Sequence, residues 1–132
     1  MRLILSTFSA GLVWITLPLL AHHSFEAEFD RTKQVTLTGT ITKFEWMNPH
    51  IWIYMDVKGT DGKMAQWQFE GGAPNSLKRN GWSRNSLKQG DMATINGSLA
   101  KDGTNTVNAT SVVLADGTRV LAGSSDTKAK TK

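Results

Sequence analysis

Residues 34–42 read QVTLTGTIT, and this stretch decides the fold class. Val35, Leu37 and Ile41 alternate with threonines, and a two-residue period rich in β-branched side chains is typical of a half-buried β-strand. Gly39 stands in the middle, where a bulge or a tight bend is expected, as when one strand serves two sheets. The stretch therefore predicts a β-rich fold organised around this strand.

Further strands follow towards the carboxyl terminus, separated by turn signals. Pro49 predicts a turn because proline lacks an amide donor and fixes φ. Residues 59–62 and 102–103 are hairpin signals, and residues 71–81 predict a short helix with a proline near its start and a closing glycine. After the first strand we expect strands at 50–57, at 63–70, around Ala93, Ile95 and Leu99, at 106–115 and at 118–121.

The order of these segments predicts the architecture. Three strands, a short helix and two or three further strands in about 90 residues match a small Greek-key barrel of OB type. A two-sheet sandwich of similar size fits the same pattern. The central glycine of the first strand and the position of the helix favour the barrel. We therefore expect an all-β, OB-like Greek-key barrel of five to six strands, with one short helix between strands 3 and 4.

The amino terminus predicts export. Arg2 precedes an apolar run that ends in Pro18 and Leu20, and small Ala21 precedes a polar segment, as in a secretory signal peptide at residues 1–21. An uncleaved anchor is the alternative, because the run nears the roughly 20 residues that a span needs. Cleavage after Ala21 leaves no membrane span and predicts a periplasmic or secreted protein.

The mature chain is short enough for one domain. We expect a polar lead-in at residues 22–34, the β-barrel domain at 35–121 and a flexible basic tail at 122–132. The chain has no cysteine, which excludes disulfides, thiolate metal sites and a cysteine nucleophile. The net charge of the whole chain is +4, but residues 22–125 carry 11 basic and 10 acidic side chains. A near-neutral domain argues against a nucleic-acid partner.

Several motifs together resemble a bacterial family of short exported proteins of unknown function. The resemblance spans nearly the whole mature chain, and it implies export and a small β-rich domain. It transfers no catalytic residue. The motifs are HHSF at 22–25, EFD at 28–30, LTGT at 37–40, EWMNPH at 45–50 and GWSR at 81–84.

The three histidines, His22, His23 and His50, are the candidate metal ligands. Cleavage after Ala21 makes His22 the first residue, so that its α-amine and Nδ1 can chelate one ion, with His50 as a further ligand if the lead-in folds back. Nitrogen ligands of this kind suit Cu(II). Cleavage one residue earlier makes His23 the third residue, whose imidazole, two amides and the amine can surround Cu(II) or Ni(II). Copper is thus the one cofactor predicted.

Two other interpretations of these residues stay open. The terminal histidines can be solvated residues at a frayed end, and His50 can hydrogen-bond within its turn. A Cu(I) site at His50 would add Met47, Met55 and the two nearest tryptophans, and would resemble small periplasmic copper carriers in ligand types and fold. Methionine and tryptophan at strand spacing more commonly pack in a core.

An aromatic surface is the second candidate for function. Trp52 and Tyr54 are expected to point outward from the second strand, with Trp46, Asn48 and Trp82 in neighbouring turns. Such a surface would suit a periplasmic partner protein or a small ligand. The alternative is that these rings cover the barrel, as tryptophan is usually largely buried.

An enzyme is not expected. The carboxylates are scattered along strand edges and turns, no Gly-x-Ser-x-Gly elbow is present, and the acidic residues Glu26, Glu28 and Asp30 lack calcium-loop spacing. We therefore expect an exported, non-enzymatic binding module that binds copper through a processed amino-terminal histidine and a turn histidine. The alternative is an accessory subunit that docks through its aromatic surface.

Overall fold

The computed structural model describes residues 24–123 of the 132-residue chain. This part contains six strands and two short helices, and most strand pairs are antiparallel. The elements, in chain order, are α1 (Ser24–Glu28), β1 (Phe29–Glu45), β2 (Trp52–Lys58), β3 (Met64–Glu70), α2 (Pro74–Arg79), β4 (Met92–Ala100), β5 (Thr106–Leu114) and β6 (Arg119–Leu121).

The sheet forms a ring. Its strand order is β3-β2-β1-β4-β5-β6, and an additional parallel pairing joins β3 to β5. The pairing runs from Gln68 opposite Thr106 to Glu70 opposite Asn108, and it connects the two ends of a five-strand path, with β6 added at β5. The predicted β-rich fold and the short helix between strands 3 and 4 are confirmed.

The long strand β1 serves both halves of the ring. Its first part pairs with β4 and its second part with β2, and Gly39 lies where the two pairings overlap, opposite both Val57 and Ala93. A Cβ at Gly39 would lie 2.3 Å from the carbonyl oxygen of Asp56. The glycine is therefore explained by a close backbone approach, whereas the register shift between β1 and β2 falls later, between Ile41 and Lys43.

The core lies on the inner face of the ring. Trp52 and Tyr54 were expected to point outward from the second strand, and the residues that alternate with them, Ile51, Ile53, Met55 and Val57, are all buried. Burying an aliphatic side chain of this size stabilises a fold by about 1.5–3 kcal/mol. The largest fully buried side chains are those of Ile41, Ile51, Ile53, Met55, Phe69, Leu77, Ile95, Val107 and Val112.

Two predicted boundaries differ from the structure. The lead-in is structured from Ser24, because α1 leads directly into β1 and the Lys101 amide donates to the Glu28 carbonyl oxygen at 2.8 Å. The folded body includes Ala122, which is buried and whose amide donates to the Thr110 carbonyl oxygen at 3.0 Å. Backbone hydrogen bonds of this kind leave no periodic hydrophobic pattern in a segment of polar or small residues.

Two further expectations concern the termini. The predicted signal peptide and residues 124–132 of the predicted tail lie outside the described residues. Within residues 24–123, no helix is both long enough and apolar enough to cross a bilayer.

Candidate functional site

His50 lies at a corner between the first two strands. β1 ends at Glu45 and β2 begins at Trp52, and the intervening turn contains a cis peptide bond before Pro49. The Ile51 amide donates to the Gly72 carbonyl oxygen at 3.1 Å, and the Gly71 amide donates to the Ile51 carbonyl oxygen at 2.9 Å. These two bonds continue the β2–β3 pairing past the strand ends and hold the backbone next to His50.

The register of β2 and β3 brings His50 to Glu70. Trp52 lies opposite Glu70 in this antiparallel pair. His50 precedes Trp52 by two residues and therefore points to the same face of the sheet. Diagonal neighbours across two strands are within reach of long side chains. The hairpin therefore determines that these two side chains meet.

His50 and Glu70 form a direct contact through one ring nitrogen. His50 Nδ1 contacts Glu70 Oε1, and the two side chains are 37% and 10% exposed. An ionised carboxylate only accepts hydrogen bonds, so Nδ1 carries the proton of this contact. The second ring nitrogen, Nε2, is not used by it. The pair thus joins a half-exposed imidazole to a nearly buried carboxylate.

The surroundings of Glu70 change its proton affinity. Burial raises the pKa of Glu70, and the nearby Glu28 carboxylate adds to the rise, whereas His50 and a hydrogen bond from the Asn108 side chain oppose it. Asn108 is only 6% exposed and lies opposite Glu70 in the β3–β5 pairing. Its Oδ1 is buried and has no hydrogen-bond partner within the described part of the chain.

A cleft of about 440 Å³ lies beside this pair. It is bounded by the end of α1, the starts of β1, β2 and β5, and the ends of β3 and β4. One wall is polar, where Gln68 Nε2 donates to Thr106 Oγ1 at 2.8 Å. The lining includes Glu28, Trp52, Gln68, Glu70, Lys101 and Thr106. Both Glu28 and Glu70 therefore face one concave surface.

The predicted metal ligands are only partly described. His22 and His23 lie outside the described residues, whereas His50 lies at the Glu70 contact. The helix α1 begins at the residue after His23, and its last residue, Glu28, lines the cleft. Among residues 24–123, no group of three or more histidine, aspartate or glutamate side chains is arranged to hold a metal ion.

The residues of the predicted aromatic surface differ in their exposure. Trp52 is half-buried and lines the cleft, and the Tyr54 hydroxyl donates to Glu45 Oε2 at 3.0 Å. Asn48 is exposed at the turn. Trp46 is half-buried and packs edge-on against a phenylalanine ring of β1 at 6.1 Å. Of these four residues Asn48 alone is exposed, and the three aromatic side chains are half-buried.

Two residues chosen from the sequence belong to the core instead. Trp82 is 3% exposed and its ring lies 6.2 Å from that of Phe44, so the expectation that it flanks an exposed aromatic surface is wrong. Met55 is completely buried, which removes it from the Cu(I) ligand set around His50, while Met47 is 47% exposed. The two-residue period of β2 already places Met55 on the buried face, whereas the burial of Trp82 follows from packing that no strand periodicity specifies.

Glu70 and Asn108 were not among the site residues predicted from the sequence. In the strand predicted at 63–70, the two-residue period puts Glu70 on the same polar face as Gln66 and Gln68, and it indicates no partner for Glu70. The hairpin turn at residues 59–62 contains the missing signal, because counting outward from the Lys58–Met64 pair places residue 70 opposite residue 52. Asn108 had no comparable signal, since its pairing with Glu70 joins strands that are distant in the sequence.

The comparisons with known proteins add a family. Neither a curated protein nor a solved structure matches the chain. A family model, described as a family of unknown function (DUF6152), matches residues 11–109. The matched range contains all three histidines, Glu70, Asn108 and every residue that lines the cleft. Because the match covers well over half of its length, the chain belongs to this family of unknown function, DUF6152.

Proposed function

We propose that this protein is an exported, non-enzymatic copper-binding module with an OB-like Greek-key barrel. In the proposal, a signal peptidase releases the mature chain at His22 into the periplasm or the exterior. The α-amine and the imidazole of His22 then bind Cu(II) together with the imidazole of His50. The supporting observations come from the strand order, the His50–Glu70 contact and the position of α1.

The strand order supports the barrel. The ring follows β1-β2-β3-β5-β4 and returns to β1, and the parallel β3–β5 pair closes it. A small five-stranded Greek-key barrel of OB type has the same short helical connection between its third and fourth strands as this chain has at α2. β6 is an addition at the outside of β5.

The contact between His50 and Glu70 is the observation that carries the copper proposal. Histidines that ligate metals almost always donate their other ring N–H to a carboxylate, a carbonyl or a water. Here Nδ1 contacts a carboxylate that is nearly buried, and Nε2 belongs to a side chain that is 37% exposed. The imidazole is therefore arranged as a ligand whose second nitrogen can bind an ion.

The position of α1 supports participation of His22. Glu28, at the end of α1, faces the same cleft as Glu70 and is close enough to affect its pKa. A helix rises about 1.5 Å per residue and an extended chain spans about 3.5 Å per residue, so the chain from Glu28 back to His22 can span at most about 13 Å. This reach is compatible with a shared site at His50.

The ligand chemistry favours Cu(II) over other divalent ions. Cu(II) has the highest affinity in the first-row divalent series and accepts planar nitrogen ligands. The amine and both imidazoles must be deprotonated to bind, so acid weakens the site. A chain end is essential to the proposal, because an amide nitrogen cannot replace the free α-amine as a chelating donor at neutral pH without losing a proton.

The first experiment determines the mature amino terminus by intact mass of the exported protein, and then titrates that form with Cu(II). His50→Ala and a single glycine added before His22 should each weaken binding about tenfold, which corresponds to about 1.4 kcal/mol. Gln66→Ala is the matched control, because Gln66 is exposed on β3 and away from the cleft lining. It should leave the affinity unchanged.

Two results would overturn the proposal. Copper binding no tighter than that of an unrelated β-domain would exclude the function. A mature chain that begins at Ala21, with affinity lost in His23→Ala and retained in His50→Ala, would assign the ion to the terminal tripeptide alone. His50 would then have no part in the site.

A second candidate function is an accessory role that uses the cleft to hold a small ligand or a periplasmic partner. The observation that favours it is the cleft of about 440 Å³ with the half-buried indole of Trp52 in its lining, because ligand sites are concave and commonly aromatic. Trp52→Ala should then abolish capture of the ligand or partner in cross-linked periplasm, while His50→Ala retains it. Equal capture by Trp52→Ala would refute this role.

A further inference from the structure

We infer that Glu70, held by Asn108, is a positioning residue that fixes the tautomer and the orientation of His50, so that a metal ion binds at Nε2. This inference rests on the copper-binding function proposed above. Glu70 and Asn108 are not metal ligands themselves, but they determine that Nε2 is the nitrogen of His50 that binds the metal.

The first step is that the fold holds the Glu70 carboxylate in place. Glu70 stands at the end of β3 between two cross-strand neighbours, Trp52 on β2 and Asn108 on β5. Its side chain is only 10% exposed, and its Oε1 contacts the His50 ring. The carboxylate is therefore a fixed group against which the half-exposed imidazole of His50 is oriented.

The second step concerns the amide of Asn108. Its side chain hydrogen-bonds to Glu70, while its Oδ1 is buried and has no partner among the described residues. The amide NH₂ is thus the group turned towards the carboxylate, and the opposite orientation would place two oxygens together. A buried acceptor without a partner is unfavourable, and its presence here is consistent with an amide whose donor is committed to a carboxylate.

The third step is the tautomer. A neutral imidazole in water favours the form with its proton on Nε2, which would leave only Nδ1 for a metal. The Glu70 carboxylate accepts at Nδ1 and so favours the opposite form, with the proton on Nδ1 and the lone pair on Nε2. The carboxylate therefore prepares the nitrogen that faces away from it, before any ion is present.

The experiment measures the His50 tautomer directly. The metal-free protein beginning at His22 is labelled with ¹⁵N, and the ring nitrogens are assigned by long-range ¹H–¹⁵N NMR at a pH where the imidazole is neutral. We expect the Nδ1–H form in the native protein, a shift towards Nε2–H in Glu70→Leu, and retention of Nδ1–H in Glu70→Gln, whose amide oxygen still accepts. Glu28→Gln, which changes the other carboxylate of the cleft, is the control and should have no effect.

The copper affinity of the same variants completes the test. Substitution of a residue that hydrogen-bonds to a metal ligand typically weakens metal binding 10–100-fold, so the loss of affinity in Glu70→Leu should fall in this range and that in Glu70→Gln should be smaller. An Nε2–H tautomer in the native protein would overturn the inference even where copper binds tightly, and this measurement needs no variant that might fail to fold. Unchanged affinity in Glu70→Leu would also overturn it. Absence of copper binding in a native protein with the Nδ1–H form would instead refute the proposed function.

Discussion

Removing His50 should expose how strongly its imidazole supports the buried Glu70 carboxylate. In His50→Ala, the Glu70 carboxylate loses the imidazole N–H from which it accepts a hydrogen bond, although the Glu70 side chain is only 10% exposed. Leaving a buried acceptor without its partner costs about 1–3 kcal/mol. His50 itself is 37% exposed, so we expect about 1–2 kcal/mol, in the lower part of the range that applies to buried partners.

The loss should depend on pH in a defined direction. Burial raises the pKa of Glu70, so the folded protein binds a proton at a pH where the unfolded chain, with an ordinary value of about 4.3, has already released it. The associated stability is fully present below the unfolded pKa and is lost as the pH rises through the folded one. His50 lowers the pKa of Glu70, so His50→Ala should raise this pKa further and enlarge the loss of stability.

The measurement is a double-mutant cycle by urea unfolding, with chelator present so that no metal contributes. Wild type, His50→Ala, Glu70→Gln and the double variant are compared at an acidic and at a neutral pH. At neutral pH we expect a coupling energy of about 1 kcal/mol. For a domain of this size, a free-energy change of that magnitude corresponds to a shift of about 4–8 °C in melting temperature. At acidic pH the coupling should shrink. A coupling indistinguishable from zero at neutral pH would refute the energetic role of this contact.

Three other substitutions test the fold around the site. Gly97→Ala places a Cβ 2.1 Å from the Asn108 carbonyl oxygen. The backbone must shift to accommodate it, which should lower the free energy of unfolding in urea by about 1–3 kcal/mol. An unchanged unfolding midpoint would contradict this packing. Trp82→Ala removes a ring that is 3% exposed and should cost about 3–5 kcal/mol by the same assay, whereas a loss below 1 kcal/mol would mean that the ring is solvated. Tyr54→Phe removes only the hydrogen bond from the Tyr54 hydroxyl to Glu45, and both groups are partly exposed. Thermal unfolding should therefore show a loss of stability below about 1 kcal/mol. A larger loss would mean that this hydrogen bond has a structural role.

Much of the local structure was predictable because its signals lie within single segments. The alternation in residues 34–42 identifies the inner face of β1, and the hairpin signals at residues 59–62 and 102–103 separate strands where the structure has turns. His50 was also identifiable as a candidate, since a histidine after a proline turn is visible in the sequence alone. These features depend on backbone geometry over a few residues, which local residue choice specifies.

The partners of His50 could be identified only once the strands were assembled. Glu70 is a polar residue at the end of an alternating strand, and Asn108 lies in another strand, 38 residues further along. Nothing in either segment indicates that the two are neighbours or that both are buried. Trp82 is a further residue whose burial its own segment does not indicate, because this tryptophan of a turn packs against Phe44 of a distant strand.

The sequence by itself thus determined the strands, the turns, the inner face and one imidazole of the candidate site. Only the tertiary structure decided which carboxylate holds that imidazole, which amide holds the carboxylate, and which tryptophan is covered. The physical reason is that periodicity records how one strand meets solvent and core. The closing of β3 on β5, by contrast, depends on the register between strands far apart in the chain, and this register brings Glu70, Asn108 and His50 together.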